Sequence, residues 1–264
     1  PTRRHQRSDS MASALGFDSA GEGPVLMLVH GFPFDRTMWS AQLSDLSSNR
    51  RVVAIDLPGR GKSQHVNPDG MTMDDYAEAV AETIDSLGVE KVDLAGLSMG
   101  GYVVFALWRK YPERVRSLIF IDTKAGDDAP EAKEGREKTA ALVRENGTAA
   151  LLDSLFPKLF APDTAEAIKA KVRRMFEDMP AETAASDALA MRDRPDSTVD
   201  LASITVPVLV IHGEQDQLMP IDGAKSMAGL IPGARFAAIA QGGHMSPLED
   251  PVAVNQALND FLGD

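Results

Sequence analysis

The fold is decided by the pentapeptide Gly96-Leu97-Ser98-Met99-Gly100, which matches the pattern G-x-S-x-G. The apolar segment 91–95 before it predicts a buried strand, and the segment 101–108 after it predicts a buried helix. A serine on such a sharp strand-to-helix turn has a strained backbone and an exposed hydroxyl, and the turn requires small residues at Gly96 and Gly100. We interpret Ser98 as a nucleophile. The alternative is a glycine-rich turn whose serine only caps the helix.

A serine nucleophile needs a base, and the base needs an orienting acid. Asp216 follows the predicted strand 206–212, and His244 follows the predicted strand 235–239. Because loops after parallel strands collect at one edge of a sheet, we expect both side chains near Ser98. Asp122 ends the predicted strand 115–122 and competes for the role of the acid. The chain must turn away there, which favours a turn-capping role for Asp122.

The other four histidines are weaker candidates for the base. His30 and His212 lie at strand ends beside glycine, where we expect them to brace loops by hydrogen bonding. His5 lies in a polar leader, and His65 lies in a loop. For His244 itself, the alternative is a loop histidine with a structural hydrogen bond.

The intermediate of acyl transfer needs backbone N–H donors aimed at its oxyanion. Met99, directly after the candidate nucleophile, is one predicted donor. Phe32 is the other, because it lies in the loop after the predicted strand 25–30. The alternative is that this loop is only a tight turn.

One segment imitates a phosphate-binding loop. Gly61-Lys62-Ser63 ends like that pattern, but the glycine required five residues earlier is Asp56. We therefore interpret the turn as structural, with Asp56 bracing it.

Together these segments resemble the α/β-hydrolase family, in this order: His30-Gly31-Phe32-Pro33, Asp56–Ser63, Gly96–Gly101, Tyr111–Val115, His212–Asp216 and Gly243-His244. The resemblance runs from about Gly16 to Asp264, apart from a middle insert. Within the family, the chain is most similar to the small esterase and 3-oxoadipate enol-lactonase-like branch, through the segment 31–35 with Trp39 and the segment 121–125.

The resemblance implies an activity as well as a fold. It implies a serine hydrolase that cleaves a small carboxylic ester or lactone through an acyl-enzyme, with neither cofactor nor metal. The same triad also resembles that of C–C bond hydrolases, of a menaquinone-pathway lyase and of a slow-turnover ligand receptor. An acidic, dicarboxylate-like substrate would need a cation in the pocket, for which Lys124, Arg136 and Lys158 are candidates.

The alternation of predicted strands and helices indicates a mostly parallel, doubly wound α/β sheet. Residues 11–123 and 204–264 are the predicted core, and residues 124–203 are a predicted helical lid. Residues 1–10 are a polar leader that we expect to be disordered or added ahead of Met11. Relatives usually open with two antiparallel strands, but only the segment 15–17 resembles the second of them.

The predicted lid has four short helices, over 131–145, 148–156, 164–178 and 182–192. Above Ser98, its apolar side chains would line the substrate pocket, and we expect this of Leu155, Phe156, Phe160 and Phe176. The alternative is that these apolar stripes only pack against each other.

Composition excludes several classes of protein. The 264 residues fit one α/β domain with an insertion, and the absence of cysteine excludes disulfides and thiol chemistry. The net charge of −12 opposes binding to nucleic acid or an anionic membrane. No apolar segment reaches transmembrane length, and no signal peptide is evident, so we expect a cytoplasmic monomer or small homo-oligomer with a small-molecule substrate.

Overall fold

Seven strands form one sheet in the computed structural model, which describes residues 14–63 and 70–263. The strand order is β1-β3-β2-β4-β5-β6-β7, with β1 antiparallel to β3 and every other neighbouring pair parallel. The strands are β1 (Phe17–Ala20), β2 (Val25–Val29), β3 (Arg51–Ile55), β4 (Val92–Leu97), β5 (Val115–Ile121), β6 (Val208–Gly213) and β7 (Arg235–Ile239).

Helices connect the parallel strands and cover the sheet. They are α1 (Ser40–Leu46), α2 (Met73–Ser86), α3 (Met99–Lys110), α4 (Pro130–Asn146), α5 (Glu166–Asp178), α6 (Ala181–Asp193), α7 (Ile221–Leu230), α8 (Ser246–Glu249) and α9 (Pro251–Leu262). α2 packs on α3, and α1 packs on α9. The predicted doubly wound α/β sheet is confirmed. No described helix is both long and apolar enough to cross a bilayer.

The centre of the sheet is buried on both faces. Every residue of β2 and β4 is buried, as is every residue of α3 from Met99 to Trp108. Parallel strands covered by helices need side chains that avoid water on both faces, which explains their nearly continuous apolar sequences. The turn between β4 and α3 therefore lies between two elements that are almost entirely buried.

The N-terminal edge of the sheet carries one antiparallel strand. β1 pairs with β3, with Phe17 opposite Ile55 and Ala20 opposite Val52. A preceding strand, like the predicted leader 1–10, would fall outside the described residues.

The segment between β5 and β6, which we call the insertion (residues 124–203), is helical. It contains α4, α5 and α6, as predicted, and α4 packs on α6. The predicted helix over 148–156 is wrong, since two separate 3-10 turns, Thr148–Leu151 and Phe156–Lys158, lie there. Gly147 ends α4 with φ +76°, and Pro157 cannot donate a backbone hydrogen bond, so the chain does not sustain an α-helix between them.

A buried ion pair fastens the insertion to the core. Arg60, in the loop after β3, donates from Nη2 to Oδ1 of Asp187 on α6 over 2.8 Å, and both side chains are almost fully buried. The hydroxyl of Tyr76 on α2 donates to the same carboxylate oxygen. Thr183 adds a hydrogen bond of 3.0 Å from its hydroxyl to the carbonyl of Gly59. α6 is therefore held against the core by polar contacts as well as by packing.

Candidate active site

Ser98 lies on the sharp turn between β4 and α3. Its backbone has φ 53° and ψ −116°, a conformation that a residue with a side chain adopts only under strain. A Cβ on Gly96 would lie 2.3 Å from the carbonyl oxygen of Gly100, and a Cβ on Gly100 would lie 2.4 Å from that of Val29. Only glycine fits at either position, so the G-x-S-x-G spacing follows from the close approach of three backbone segments.

His244 connects Ser98 to a carboxylate. Its Nε2 lies 2.9 Å from Oγ of Ser98, and its Nδ1 lies 2.7 Å from Oδ2 of Asp216. The backbone N–H of His244 donates to the carbonyl of Leu159 in the insertion over 2.9 Å. The histidine loop is thus fixed from the core side and from the insertion side.

Asp216 is held by its own loop. Its Oδ1 accepts hydrogen bonds from the N–H groups of Leu218 (2.8 Å) and Met219 (2.9 Å), which leaves Oδ2 for His244. Burial raises the pKa of Asp216, but the charge and hydrogen bond of His244, the N–H of Met219 and the charge of His212 together lower the pKa overall. The carboxylate is therefore ionised beside the imidazole.

The contact with Asp216 shifts the pKa of the His244 imidazole in the opposite direction. Burial lowers the pKa of His244, whereas the charge and the hydrogen bond of Asp216 raise it, and the balance lies above the ordinary value of 6.5. His244 is hence a stronger base than a free histidine, and it points that basic nitrogen at the serine hydroxyl.

Asp122, the other candidate for the acid, has a different position. It is fully buried at the end of β5 with φ 45°. Its Oδ1 accepts from the N–H of Gly213 (2.8 Å), and its Oδ2 accepts from the N–H (3.2 Å) and hydroxyl (2.6 Å) of Ser246. Burial, together with the charge of Asp216, raises its pKa to about 8. In the structure, Asp216 is therefore the carboxylate that contacts the imidazole of His244. Asp122 instead connects the end of β6 with the loop after β7.

The other described histidines brace loops. His30 has Nδ1 2.9 Å from the carbonyl of Gly31 and accepts at Nε2 from the N–H of Leu57 over 3.0 Å. His212 has Nε2 2.6 Å from the carbonyl of Met219, and burial lowers its pKa. His5 and His65 lie outside the described residues.

Among the described residues, one group has the spacing that a metal ion needs. It consists of Asp122, His212 and Asp216, whose ligand atoms lie within 4.8 Å of one another. The four carboxylate oxygens of this group already accept N–H, hydroxyl or imidazole contacts. These side chains therefore fit a hydrogen-bonded framework better than a metal centre, and the absence of metal and cofactor stays a prediction.

Phe32 and Met99 flank the serine on two different elements. Met99 opens α3, where the first N–H groups of a helix have no partner within the helix. Phe32 follows β2 and lies in the wall of the same cavity as Ser98. A Cβ on the neighbouring Gly31 would lie 2.9 Å from the Leu97 side chain and 3.2 Å from Cβ of Ser98, so this loop runs directly against the serine turn.

A cavity of about 390 Å³ opens onto Ser98 and His244. Its wall combines core residues with residues of the insertion: Phe32, Ser98, Thr123, Lys124, Asp128, Ala132, Arg136, Leu155, Leu159, Met191, Leu218, Met219, Pro220, Gly223, Ala224 and His244. Of the four predicted pocket residues, Leu155 belongs to this wall. Phe156, Phe160 and Phe176 are buried outside it, with Phe156 in edge-to-face contact with Phe160 and with Phe176.

Sequence reasoning missed most of this wall. Leu218 and Met219 directly follow Asp216, so their place beside the acid could have been inferred from the chain alone. Leu159 and Met191 have no such signal, because an apolar residue in a helical insertion can face either the core or the cavity. Lys158, one of the three predicted pocket cations, is not part of the wall, whereas Lys124 and Arg136 are.

The turn that imitates a phosphate-binding loop closes on Asp56. Oδ2 of Asp56 accepts from the N–H of Lys62 over 2.8 Å, and the hydroxyl of Ser63 donates to the Asp56 carbonyl over 2.7 Å. A Cβ on Gly61 would lie 2.1 Å from the Asp56 carboxylate. A carboxylate fills the place where a phosphate would have to bind.

Comparison with known proteins matches most of this chain to one protein family. A model described as the alpha/beta hydrolase fold matches residues 24–251. A solved structure of a thermophilic esterase from Thermogutta terrifontis, with malate bound, is 41% identical, covers 94% of this chain and 93% of its own, and has a TM-score of 0.92. A solved enol-lactonase from Burkholderia xenovorans LB400 is 28% identical, covers 95% of this chain and 96% of its own, and has a TM-score of 0.86.

One curated relative is longer than this chain. It is the dihydrolipoyllysine-residue acetyltransferase component of the acetoin cleaving system from Pseudomonas putida, which is 33% identical over 257 residues. The alignment covers 93% of this chain but 65% of that relative.

Proposed function

Because this chain belongs to the alpha/beta hydrolase fold family, we propose that it is a serine hydrolase of small carboxylic esters or lactones. The observation that carries the proposal is the contact series from Ser98 Oγ to His244 Nε2 (2.9 Å) and from His244 Nδ1 to Asp216 Oδ2 (2.7 Å) at the wall of one cavity. The similar esterase and enol-lactonase support this substrate range. A small-molecule substrate and a cytoplasmic location stay predictions from composition.

The first half of the proposed reaction forms an acyl-enzyme. Oγ of Ser98 attacks the carbonyl carbon of the substrate while Nε2 of His244 takes the hydroxyl proton. Asp216 stabilises the resulting imidazolium and keeps the ring oriented. His244 then gives the proton to the leaving oxygen as the ester C–O bond breaks.

The second half returns the enzyme to its starting state. His244 takes a proton from water, whose oxygen attacks the acyl carbon, and the carboxylic acid leaves as Ser98 regains its proton. In both halves negative charge develops on the former carbonyl oxygen. We assign the N–H groups of Phe32 and Met99 to stabilise it, because both positions adjoin Ser98.

The nucleophile can be tested by covalent labelling. A fluorophosphonate probe should label Ser98, and Ser98→Ala should lower kcat by about six orders of magnitude, because the members of a triad act as a unit. The matched control is Ser44→Ala on α1, which removes an exposed serine and should retain both labelling and turnover. Retention of esterase activity within tenfold in Ser98→Ala would refute the mechanism.

The class of substrate can be tested with one panel. Aryl esters, lactones and vinylogous diketones report ester, lactone and C–C bond hydrolysis. We expect the first two to be turned over many times. A single stoichiometric burst of aryl alcohol without turnover would indicate a receptor, and turnover of the diketones alone would indicate a C–C hydrolase.

A further inference from the structure

The backbone around His244 is held by a side chain that the proposed reaction does not use. Glu249 is the last residue of α8, the one-turn helix that begins two residues after His244, and it is half-buried. Among the described residues, its carboxylate accepts hydrogen bonds from three backbone N–H groups and one hydroxyl. Glu249 does not line the active-site cavity, so any effect on catalysis must pass through the residues that it holds.

One oxygen of Glu249 holds the loop on both sides of His244. Oε2 accepts from the N–H of Gly243 over 2.8 Å and from the N–H of Met245 over 3.1 Å. The N–H between them, that of His244, donates to the carbonyl of Leu159 in the insertion over 2.9 Å. Three successive N–H groups therefore have defined acceptors, and these acceptors determine where the loop places the imidazole.

The other oxygen of Glu249 holds the insertion. Oε1 accepts from the N–H of Ala161 over 2.7 Å and from the hydroxyl of Thr164 over 2.5 Å. The two backbones approach closely here, since a Cβ on Gly243 would lie 2.5 Å from the backbone nitrogen of Ala161. A single carboxylate thus joins the histidine loop to residues 159–164 of the insertion.

The simplest alternative role for Glu249 is that of a cap on α8. The first N–H groups of a helix have no partner within the helix, and a side chain commonly supplies the acceptor. Such a cap accounts for the contact with Met245, which lies at the N-terminus of α8. It does not account for the contact with Gly243, which precedes His244, or for the two donors in the insertion. The contacts therefore indicate a role in the position of the imidazole.

We propose that Glu249 is a positioning residue for the base, which holds the His244 imidazole in place beside Ser98 and connects that place to the insertion. The proposal rests on the proposed function, in which His244 transfers the protons. The ring makes contacts of 2.9 Å and 2.7 Å on its two sides, so a displacement of its backbone weakens at least one of them. A displacement of about 1 Å can lower the rate of an enzyme about 10²-fold.

Glu249→Gln tests the proposal with little change in the size of the side chain. The amide nitrogen accepts no hydrogen bond, so either the histidine loop or the insertion loses its acceptor. We expect kcat with an aryl acetate to fall about 10- to 100-fold while KM stays within about threefold, because the cavity wall keeps its residues. Labelling of Ser98 by the fluorophosphonate probe should slow by a similar factor. An unchanged kcat with a higher KM would mean that Glu249 only attaches the insertion, and would overturn the proposal.

Two threonine variants separate the position of His244 from the attachment of the insertion. Thr183→Val is the matched control, because it removes a hydrogen bond between the insertion and the core that does not involve the histidine loop. It should keep kcat within about twofold. Thr164→Val removes one donor at Oε1 and leaves both contacts of Oε2, so it should lower kcat less than Glu249→Gln. Melting temperatures show whether each variant is folded in the assay, and an equal loss of kcat in Thr183→Val would contradict the positioning role.

A spectroscopic measurement separates failure of this role from failure of the reaction. In Ser98→Ala, the proton between His244 Nδ1 and Asp216 Oδ2 should give a downfield NMR resonance, which requires no turnover. Adding Glu249→Gln should shift or broaden this resonance, whereas adding Thr183→Val should leave it unchanged. If the resonance responds but Ser98 is neither labelled nor active, the proposed function fails and the coupling of Glu249 to His244 stands. If esters are turned over and Glu249→Gln changes neither kcat nor the resonance, the positioning role is wrong and the hydrolase stands.

Discussion

At the scale of single residues, two buried aspartates lie close to the loops after β6 and β7 and have different roles. Asp216 contacts the imidazole of His244, whereas Asp122 accepts from Gly213 and Ser246. A carboxylate that orients the base acts on turnover. A carboxylate that joins two loops acts on stability.

Substitution of each aspartate by asparagine separates these roles. Asp216→Asn should lower kcat by about four orders of magnitude with the fold retained, because the imidazole loses its orientation and its counter-charge. Asp122→Asn should mainly lower the melting temperature, since the amide nitrogen that replaces one carboxyl oxygen cannot accept the hydrogen bonds that Gly213 or Ser246 donates there. Full loss of turnover in Asp122→Asn, with Asp216→Asn within tenfold of wild type, would reverse the assignment.

The pH profile supplies a second readout for Asp216→Asn. His244 must be neutral to accept a proton, so kcat/KM falls as pH drops through its pKa. Asp216 raises that pKa above 6.5, so the acidic limb in wild type lies above 6.5. Removal of the charge lowers the pKa, and the limb of the residual activity should move to lower pH. A limb that does not move would mean that Asp216 does not act on the imidazole.

The glycines around Ser98 could be predicted from the sequence, because the backbone geometry of the turn determines which residue types fit there. The serine turn admits only glycine at positions 96 and 100, and this requirement produces the G-x-S-x-G motif in the sequence. The surroundings of Asp128 leave no such pattern. The sequence offers Lys124 and Arg136 as candidate pocket cations, but the spacing of charged residues does not show that they and Arg194 converge on the Asp128 carboxylate.

At the scale of elements, helix α6 gives the insertion a buried polar attachment to the core. α6 presents the buried Asp187 to Arg60 and Tyr76 of the core, and it presents Glu182 to Arg144 of α4 at the surface. The two acids lie on the same helix and differ in burial, with side-chain exposures of 0% and 70%. Substitution of each acid therefore compares a buried ion pair with an exposed ion pair on the same helix.

Loss of the buried acid should cost far more than loss of the exposed one. Asp187→Ala leaves the Arg60 charge buried without its partner, so we expect a loss of about 3–5 kcal/mol in the free energy of unfolding. Glu182→Ala breaks an exposed pair and should cost less than about 1 kcal/mol. Urea denaturation of both variants measures the difference, and equal losses would mean that the buried pair does not anchor the insertion.

Helices whose apolar residues follow a local period can be predicted from the sequence, because that period does not depend on long-range packing. The helical spacing of α5 is visible in the chain, since Ile168, Val172, Met175 and Phe176 recur on one face of the helix. The direction of a stripe is not visible. The sequence predicts that Phe156, Phe160 and Phe176 line the pocket. In the structure the ring of Phe156 contacts the other two rings, and Phe176 also contacts Phe34 of the core. Only the arrangement of the helices decides which apolar face meets the cavity.

At the scale of the whole molecule, the topology assembles the site from distant parts of the chain. Ser98 and His244 are 146 residues apart and meet because β4 and β7 end at the same edge of the sheet. The insertion leaves the core after β5 and returns before β6, so it reaches the same edge. Its residues Leu155, Leu159 and Met191 then line the same cavity as Ser98.

The size and lining of this cavity predict the length of acyl chain that the enzyme accepts. A cavity of about 390 Å³, bounded by the insertion, suits short acyl groups and small lactones, because a longer chain must displace packed side chains. Acetate to butyrate esters should exceed decanoate esters by at least about tenfold in kcat/KM. Leu155→Ala should enlarge the cavity and move the optimum to longer chains. The matched control is Leu142→Ala on α4, whose partly exposed side chain lies outside the cavity wall. A wild-type rate that rises through octanoate and decanoate esters would instead describe an open, lipase-like groove.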